Sequence, residues 1–563
     1  MPASSDVDPL ASIRARVRAA IAQAWTDAVA QGRIPAVEDP AAAPAVEIDR
    51  PANPAFGDLA TNLAMKLAKP LRRAPMEIAE ALAATLPVAS NGFIASAEAA
   101  RPGFLNLRVA DAAFESLVAA ILERPAAWGR IPAVNARKVN VEFVSANPTG
   151  PLTIGNARGA FVGDLLCRVL EAGGQTVTRE YYFNDSGAQV SHLGASVVAA
   201  KRGEPVPEEG YKGAYVEDLA REVPADVWGA ATADGADSAG IVGGWASSTV
   251  RQGIEQSLTH LGVRFDVWTS EARLHDEGWV ERAIERLRSN DAMYEQDGAL
   301  WFRSTAYGDD KDRVVLRSDG RPTYFAADIG YVTEKFSRGF DHLIYIWGAD
   351  HHGTVARLRN AAGAMGYPTE HVHVLLYSWV RFVRDGQEVS MSKRAGEFIT
   401  LDELLAEVGV DAARWFFASR GATSAIDFDI ELAKKQSADN PVFYVQYAHA
   451  RIASIVRKAE AAGTKPAAAI DGLLEGEPEA ALARVVARFP EVVEDAVVAE
   501  ETQGLTAYAT ELATQFHAFY RDARVVDEAA PERSAKRLAL VLATKTTLAN
   551  ALGLLGISAP EAM

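Results

Sequence analysis

A strand–loop–helix–strand pattern in the first third of the chain constrains the fold most. Apolar and polar side chains alternate over residues 139–143, the period of a β-strand with two different faces. A loop rich in Gly, Pro and Asn follows at 145–156. A helix is predicted from Ala157 to the Gly173-Gly174 pair, where glycine can take the left-handed conformation that ends helices. Residues 176–183 are β-branched and aromatic and predict a second strand, so the unit implies two parallel strands of an α/β sheet.

The loop at 145–156 is the first candidate for a ligand site. In open α/β sheets, ligands bind outside the carboxyl ends of the strands, and the N-terminus of the following helix favours phosphate. Gly155 has no side chain and would let a base or a phosphate approach the backbone, while Thr153 and Asn156 can each donate a hydrogen bond. From the residues alone, a nucleotide loop and an ordinary strand-to-helix turn with capping residues are equally good interpretations.

The length of the chain predicts several domains. It has 563 residues, and one hydrophobic core stops growing at about 250–300. An insertion at about 190–320 is expected to interrupt the sheet, with its Gly/Ala-rich part at 223–250 forming a surface loop. The predicted fold class is α/β, divided into an α+β N-terminal domain (1–115), a Rossmann-like parallel-sheet domain (130–380), a connecting region (381–438) and an all-helical C-terminal domain (439–563).

The start of the C-terminal domain illustrates the helical prediction. Asp439 or Asn440 can cap a helix, and Pro441 suits the first helical position. Five apolar side chains recur at helical spacing and predict one buried face: Val442, Val445, Ala448, Ile452 and Ile455.

Composition excludes several classes of protein. Cys167 is the only cysteine, which excludes disulfide frameworks and thiolate metal cages. No apolar run approaches the about 20 residues that span a bilayer, and the N-terminus does not resemble a secretory signal, so a cytoplasmic enzyme with no membrane partner is expected. The net charge of −17 by itself argues against a nucleic-acid partner, although it does not report on local basic patches.

Sequence signatures make the nucleotide interpretation more specific. The segment Asn147-Pro-Thr-Gly-Pro-Leu-Thr-Ile-Gly-Asn156 resembles the His-Ile-Gly-His signature of class I aminoacyl-tRNA synthetases in the context found in arginyl-tRNA synthetases. Both histidines are replaced here, by Thr153 and Asn156. The resemblance implies that Thr153, Ile154, Gly155 and Asn156 bind ATP. Thr153, Gly155 and Asn156 are expected to act in catalysis, with hydrogen bonds to the transferring phosphate in place of a cationic imidazole.

A second signature lies far downstream. Val389-Ser-Met-Ser-Lys-Arg-Ala-Gly396 resembles the family's Lys-Met-Ser-Lys-Ser loop, with Ser390 in place of the first lysine. The resemblance implies that Lys393 stabilises the negative charge that develops on the departing pyrophosphate. Four residues of this loop are predicted to bind ATP: Met391, Ser392, Lys393 and Arg394.

The amino-acid pocket is predicted from three further segments. A guanidinium has five donors and no acceptor, so it requires carboxylate or carbonyl partners. Glu142 and Asn147 match positions that bind the amino acid in arginyl enzymes. In Pro322-Thr-Tyr-Phe-Ala-Ala-Asp, which resembles another arginyl segment, Tyr324 and Asp328 would share one helical face. Without the family, Asp328 would be interpreted as a capping or surface carboxylate.

The segment Trp347-Gly-Ala-Asp-His-His-Gly could be mistaken for a metal site. Adjacent histidines rarely reach one ion, and the segment lacks the His-x-x-x-His spacing of a helical metal site, so no metal ligand is predicted. The resemblance places this segment beside the ATP and amino-acid pocket and implies that Asp350 contacts arginine.

Both ends of the chain resemble tRNA-contacting domains. Phe56–Lys69 and Arg101–Val109 match the N-terminal domain of arginyl enzymes, and Asn440–Ile452 matches the opening of their anticodon-binding domain. For the basic cluster that includes Lys66, the residues alone favour a solvated helix end over a contact with the RNA backbone. The residues predicted to bind tRNA are Asn62, Lys66, Asn106, Tyr444 and Arg451.

The resemblance implies a ligase that joins arginine to the 3′ end of tRNA(Arg). Its expected substrates are L-arginine, tRNA(Arg) and ATP as the Mg²⁺ complex, without a tightly held cofactor, and a monomer is expected. Two alternatives compete with this interpretation. A non-catalytic tRNA-binding paralogue would explain the altered signatures but not the amino-acid pocket, and a cysteinyl enzyme would usually carry a zinc site with cysteine ligands, for which one cysteine is too few.

Overall fold

The N-terminal part of the chain forms a small α+β unit. The computed structural model describes residues 8–88, 92–133, 135–389 and 399–563. Three antiparallel strands pair in the order β1-β3-β2, and four helices pack with them into one core. The elements are α1 (Ile13–Ala30), β1 (Leu59–Thr61), α2 (Leu63–Leu71), α3 (Pro75–Thr85), β2 (Ile94–Ala100), β3 (Phe104–Val109) and α4 (Asp111–Glu123).

A five-stranded parallel sheet forms the centre of the molecule, in the order β11-β10-β4-β5-β6. The chain runs from β4 outward in both directions, so β4 and β10 flank a topological switch point, where ligands bind in such sheets. The first elements are β4 (Lys138–Glu142), α5 (Ile154–Ala172), β5 (Thr176–Phe183), α6 (Ala188–Arg202), α7 (Ala214–Glu222), α8 (Ala225–Ala231), α9 (Ser238–His260), β6 (Val267–Ser270), α10 (Glu271–Asp276) and α11 (Trp279–Ser289). The domain continues through β7 (Met293–Gln296), β8 (Ala299–Phe302), β9 (Arg313–Leu316), α12 (Tyr324–Ser337), β10 (His342–Gly348), α13 (His352–Ala364) and β11 (Val372–Tyr377).

The strand–helix–strand prediction is confirmed, with one correction to β4. Helix α5 ends at Ala172, and Gly174 takes a positive φ of 74°, as the glycine pair predicts. The polar side of β4 is not open to solvent, because both Asn140 and Glu142 are buried. A central strand of a parallel sheet is covered on both faces, so its polar side chains need buried partners.

The predicted surface loop at 223–250 is wrong. This stretch contains α8 and most of α9, and α9 packs closely on α6. The glycines permit this contact, since a Cβ on Gly194 would lie 1.9 Å from the Ala239 carbonyl oxygen and one on Gly243 would lie 2.4 Å from that of Val190. Glycine in this helix therefore reflects close helix packing rather than a turn.

The region after the central sheet carries a further small sheet and short helices. Strand β12 pairs in parallel with β14 and antiparallel with β13. The elements are β12 (Val380–Arg384), β13 (Gln387–Glu388), α14 (Leu401–Val408), α15 (Val410–Ala418), β14 (Ile426–Asp429) and α16 (Ile430–Lys434).

The C-terminal part is all helical, as predicted. Asn440 caps its first helix through its side chain, and the five apolar residues predicted to face inward are buried. The helices are α17 (Pro441–Ala461), α18 (Glu477–Ala487), α19 (Phe489–Ala499), α20 (Gln503–Asp522) and α21 (Pro531–Leu554). None of the helices described for this chain is both long and apolar enough to cross a membrane.

Ion pairs join the helical domain to the rest of the protein. Arg14 of α1 pairs with Glu494 of α19 at 2.8 Å. Glu500, which follows α19, accepts hydrogen bonds from His342 of β10 at 2.8 Å and from His373 of β11. These two imidazoles lower the pKa of Glu500 to about 2 despite its partial burial, so a partly buried, hydrogen-bonded contact joins the sheet to the helical domain.

Candidate active site

A cavity of about 1100 Å³ opens at the carboxyl ends of the central strands. Its wall comes from the end of β4 and the loop after it, the first turns of α12, the end of β10, and α13, with one side from the insertion before α7. Seven residues predicted to bind substrates line it: Glu142, Asn147, Thr153, Asn156, Tyr324, Asp328 and Asp350. The fold thus brings together segments that are up to two hundred residues apart in the chain.

Glu142 has a buried cationic partner. Its Oε2 receives a hydrogen bond from the Lys335 ammonium at 2.6 Å, and its Oε1 receives one from the Ser145 hydroxyl at 3.0 Å. Lys335 is fully buried and also lies over the rings of Tyr331 and Tyr345. Glu142 therefore enters the cavity wall with its charge already balanced, which a carboxylate at this depth requires.

Asp328, in contrast, lines the cavity without an ion pair in the described part of the chain. Burial raises the pKa of its carboxyl to about 7, together with the nearby carboxylates of Glu142 and Glu271, and Arg357 opposes this rise only weakly. A carboxyl group in such a setting is stabilised in its ionised form by a cation, so this end of the cavity favours a positively charged ligand.

Aromatic rings surround the same end of the cavity. Tyr324 begins α12 one turn before Asp328 and is 69% exposed, so its ring is free to cover a ligand. The hydroxyl of Tyr345 is buried and has no hydrogen-bond partner among the described residues. The Tyr345 side chain therefore contributes its ring to the wall, while its hydroxyl stays enclosed.

Thr153 and Asn156 form the cap of α5. The backbone N–H and the hydroxyl of Thr153 both donate to the Asn156 Oδ1, each at 3.1 Å. The Asn156 oxygen faces these two donors, and its amide N–H₂ has no acceptor among the described residues. The face at Gly155 is open, since an added Cβ would meet only the Thr153 hydroxyl, at 3.4 Å.

The Ile154 side chain, unlike those of Thr153 and Asn156, does not face the cavity. Ile154 is fully buried. Its N–H donates to the Ile399 carbonyl at 3.2 Å, while the Leu401 N–H donates to the Leu152 carbonyl at 3.0 Å. The first signature is thus tied by backbone hydrogen bonds to the chain directly after the second signature. The second-signature residues Met391, Ser392, Lys393 and Arg394 lie outside the described residues.

The insertion completes the cavity wall. The Asn147 amide donates to Gln189 Oε1 at 2.8 Å, and its oxygen accepts from the Asn184 N–H at 3.3 Å. Tyr215, at the start of α7, donates to the Thr149 carbonyl at 2.9 Å. The insertion therefore fixes the loop between β4 and α5 from outside.

Sequence reasoning missed several residues of this wall. Lys335 and Tyr331 could have been found by extending the helical period from Tyr324 and Asp328, because positions 324, 328, 331 and 335 share one face of α12. Arg357 on α13, like Tyr215, belongs to segments for which the sequence offers no such signal.

The residues predicted to bind tRNA lie on two separate domains. Asn62 is the N-cap of α2, and its buried Oδ1 has no hydrogen-bond partner in the part of the chain that the structure describes, while Lys66 pairs with Glu47. Asn106 lies on β3 between β1 and β2. Tyr444 and Arg451 lie on α17 in an aromatic group: Arg451 contacts the Tyr447 and Tyr520 rings, and Tyr444 contacts His517.

Sheet topology, cavity position and the helical C-terminal domain together define a class I aminoacyl-tRNA synthetase. Family models divide the chain in the same way: "Arginyl tRNA synthetase N terminal domain" matches residues 12–109, "tRNA synthetases class I (R), catalytic domain" matches 118–209 and 245–435, and "DALR anticodon binding domain" matches 445–563. The chain belongs to the arginyl-tRNA synthetase family. The resemblance and the fold class inferred from the sequence are therefore confirmed.

Individual relatives agree with this assignment. The chain is 46% identical over 533 residues to an arginine–tRNA ligase of Citrifermentans bemidjiense, covering 92% of this chain and 95% of the relative, and equally identical to one of a Geobacter species. A putative arginyl-tRNA synthetase structure from Campylobacter jejuni is 34% identical with a TM-score of 0.72, covering 80% of this chain and 99% of that one. The Thermus thermophilus arginyl-tRNA synthetase shares the fold, with a TM-score of 0.76 at 24% identity over 98% and 100% of the two chains.

Proposed function

We propose that this chain activates L-arginine with ATP and transfers it to the 3′ end of tRNA(Arg). An oxygen of the arginine carboxylate bonds to the α-phosphorus of ATP while the bond to the β-phosphate bridging oxygen breaks, giving arginyl-adenylate and pyrophosphate. The terminal ribose hydroxyl of the tRNA then attacks the activated carbonyl and releases AMP. Neither step needs a protein nucleophile, so the chain has to position the substrates and stabilise charge. ATP is proposed to enter as its Mg²⁺ complex.

The proposal that the amino-acid substrate is arginine rests on one observation. The Asp328 carboxyl lines the cavity and has a pKa of about 7. A guanidinium placed there would ionise Asp328 and gain a charge-assisted hydrogen bond. Tyr324 would cover the planar group, and Glu142, held by Lys335, would accept a second set of hydrogen bonds. Asn147 and Asp350 would contact the α-amino and carboxylate end.

The opposite end of the cavity is proposed to hold the nucleotide. The free amide N–H₂ of Asn156 would donate to a phosphate oxygen at the N-terminus of α5, and Gly155 would let the nucleotide approach. Thr153 would support Asn156 by holding its amide oxygen, and Ile154 would act only through its backbone. The second-signature residues Met391, Ser392, Lys393 and Arg394 would close on the phosphates, with Lys393 stabilising pyrophosphate.

The tRNA is proposed to contact both end domains. Arg451 stacked between tyrosine rings suits an unpaired base and its phosphate, as in other aromatic and arginine surfaces that bind single-stranded RNA. Tyr444 would extend that surface. Asn62, Lys66 and Asn106 would contact the tRNA backbone from the N-terminal sheet and α2.

The remaining organisation is proposed from the sequence. The division into 1–115, 130–380 with its insertion, 381–438 and 439–563 describes the units, except that α4 runs past residue 115 and packs on α18 and α21. A cytoplasmic monomer is proposed.

The test is release of pyrophosphate from ATP that requires both arginine and tRNA. We expect charging of tRNA(Arg) with arginine and not with lysine, because a lysine ammonium cannot form the two parallel hydrogen bonds that a planar guanidinium forms with a carboxylate. A protein that binds tRNA but releases no pyrophosphate, even at high concentration, would instead be the non-catalytic paralogue.

A further inference from the structure

Arg357 presents an unused guanidinium to the active-site cavity. It lies on α13 with Thr354 and Leu358, one helical face that lines the cavity. The side chain is half-buried, and its Nε is enclosed without an acceptor. In the ranges that the structure describes, its guanidinium forms neither an ion pair nor a hydrogen bond. The Nε is closed off from the cavity, so the terminal nitrogens of the guanidinium are the donors that a ligand there can reach, and they have no acceptor among the described residues.

Cations are scarce in this cavity. Among the described residues of the wall, the basic side chains with a fixed charge are Arg357 and Lys212, and Lys212 is exposed on the insertion. Both histidines of the first signature and the first lysine of the second are replaced in this sequence. The carboxylates of the wall are Glu142, Glu208, Asp328 and Asp350. Among the described residues of the wall, the Arg357 guanidinium is therefore the half-buried cation that a phosphate can meet.

We propose that Arg357 binds a phosphate group in this cavity through a two-bond contact of its guanidinium. The phosphate comes from ATP or from the terminal nucleotide of tRNA. This inference rests on the proposed function and deepens it. As the carboxylate oxygen bonds to the α-phosphorus, pyrophosphate departs with the electron pair of the broken P–O bond. A guanidinium is permanently charged and planar, and here it is fixed on a helix. It can stabilise the negative charge that develops on pyrophosphate without exchanging a proton.

A structural role is the competing explanation. Arg357 lowers the pKa of Asp328 slightly, so its purpose could be to keep that carboxyl ionised for arginine. The two roles predict that removing the charge of Arg357 weakens the binding of different substrates. Loss of a phosphate contact affects ATP or tRNA, whereas loss of a counter-charge to Asp328 affects arginine and the pH dependence of its binding.

The experiment uses the full chain with tRNA(Arg) and compares Arg357→Gln with Arg357→Lys. Arg359→Gln is the matched control, because Arg359 lies on the same helix but is exposed and outside the cavity wall. ATP–pyrophosphate exchange is measured with ATP, arginine and tRNA varied in turn, and tRNA affinity is measured separately by filter binding. Wild-type charging of tRNA with arginine tests the proposed function itself.

For a phosphate of ATP, Arg357→Gln should lower kcat/KM for ATP by about 10²–10³-fold and Arg357→Lys by about tenfold, with the arginine KM and its pH profile unchanged. For a tRNA phosphate, the loss should appear in tRNA affinity and kcat/KM for tRNA instead, which supports the same subsite.

An effect confined to arginine, with a shifted pH profile, would overturn the proposal, as would wild-type kinetics in Arg357→Gln. Should that variant fail to fold, unchanged ATP and tRNA kinetics in a folded Arg357→Lys would overturn the two-bond contact. Failure of the wild type to charge tRNA would refute the proposed function, whereas an active wild type with unaffected variants would refute Arg357 alone.

Discussion

Arginine binding should depend on pH through Asp328. Burial and two nearby carboxylates raise the pKa of this carboxyl to about 7 in the ligand-free protein. The ionised form alone can pair with a guanidinium, so protonation competes with arginine. With a pKa of about 7, about one tenth of the carboxyl is ionised one pH unit lower. The KM for arginine is therefore expected to rise about tenfold as the pH falls from about 8 to about 6.

The assay is ATP–pyrophosphate exchange with tRNA and ATP saturating and arginine varied at each pH. Asp328→Asn supplies the control, because an amide keeps the shape of the side chain but does not titrate in this range. Losing the charged partner of a hydrogen bond costs about 2–3 kcal/mol, so this variant should raise the arginine KM about 30- to 160-fold with little effect on the ATP KM.

Three results would refute this reasoning. A wild-type KM for arginine that stays constant between about pH 8 and 6 would show that Asp328 is already ionised or does not meet the substrate. The same slope in Asp328→Asn would show that another group titrates. An effect of Asp328→Asn confined to ATP would contradict the guanidinium role altogether.

Three further predictions follow from other residues. Lys393→Ala should lower adenylate formation strongly while filter binding shows unchanged tRNA affinity; a parallel loss of both would contradict its assignment to phosphate. Lys335→Met leaves the Glu142 charge buried and unpaired, so urea unfolding should show a loss of about 3–5 kcal/mol, largely recovered by adding Glu142→Gln; no recovery would mean that packing, not charge, is responsible. Glu500 has a lowered pKa, so its contribution to stability is present above its ordinary value of 4.5 and is lost as the pH falls toward about 2. Glu500→Gln should therefore destabilise by about 2–3 kcal/mol at neutral pH and hardly at the acid end of that range, and an equal effect at both would exclude the charged contact with His342.

The amino-acid sequence by itself determined the local elements and the chemistry of the candidate site. The strand, loop and helix around Thr153 and Asn156 follow from side-chain period and capping, which depend on near neighbours. The buried face of α17 follows from helical spacing in the same way. The glycines of α9 misled the prediction, because their use depends on how closely α6 approaches.

Only the tertiary structure decided which charges meet. Lys335 and Glu142 are 193 positions apart, and no local pattern indicates that one balances the other while Asp328 has no ion pair among the described residues. The pKa of Asp328 and the unused guanidinium of Arg357 likewise depend on burial and on groups from other segments. The periodicity of side chains reports on neighbours within a few residues. Desolvation and Coulomb interactions act through space, so they depend on which distant segments pack together.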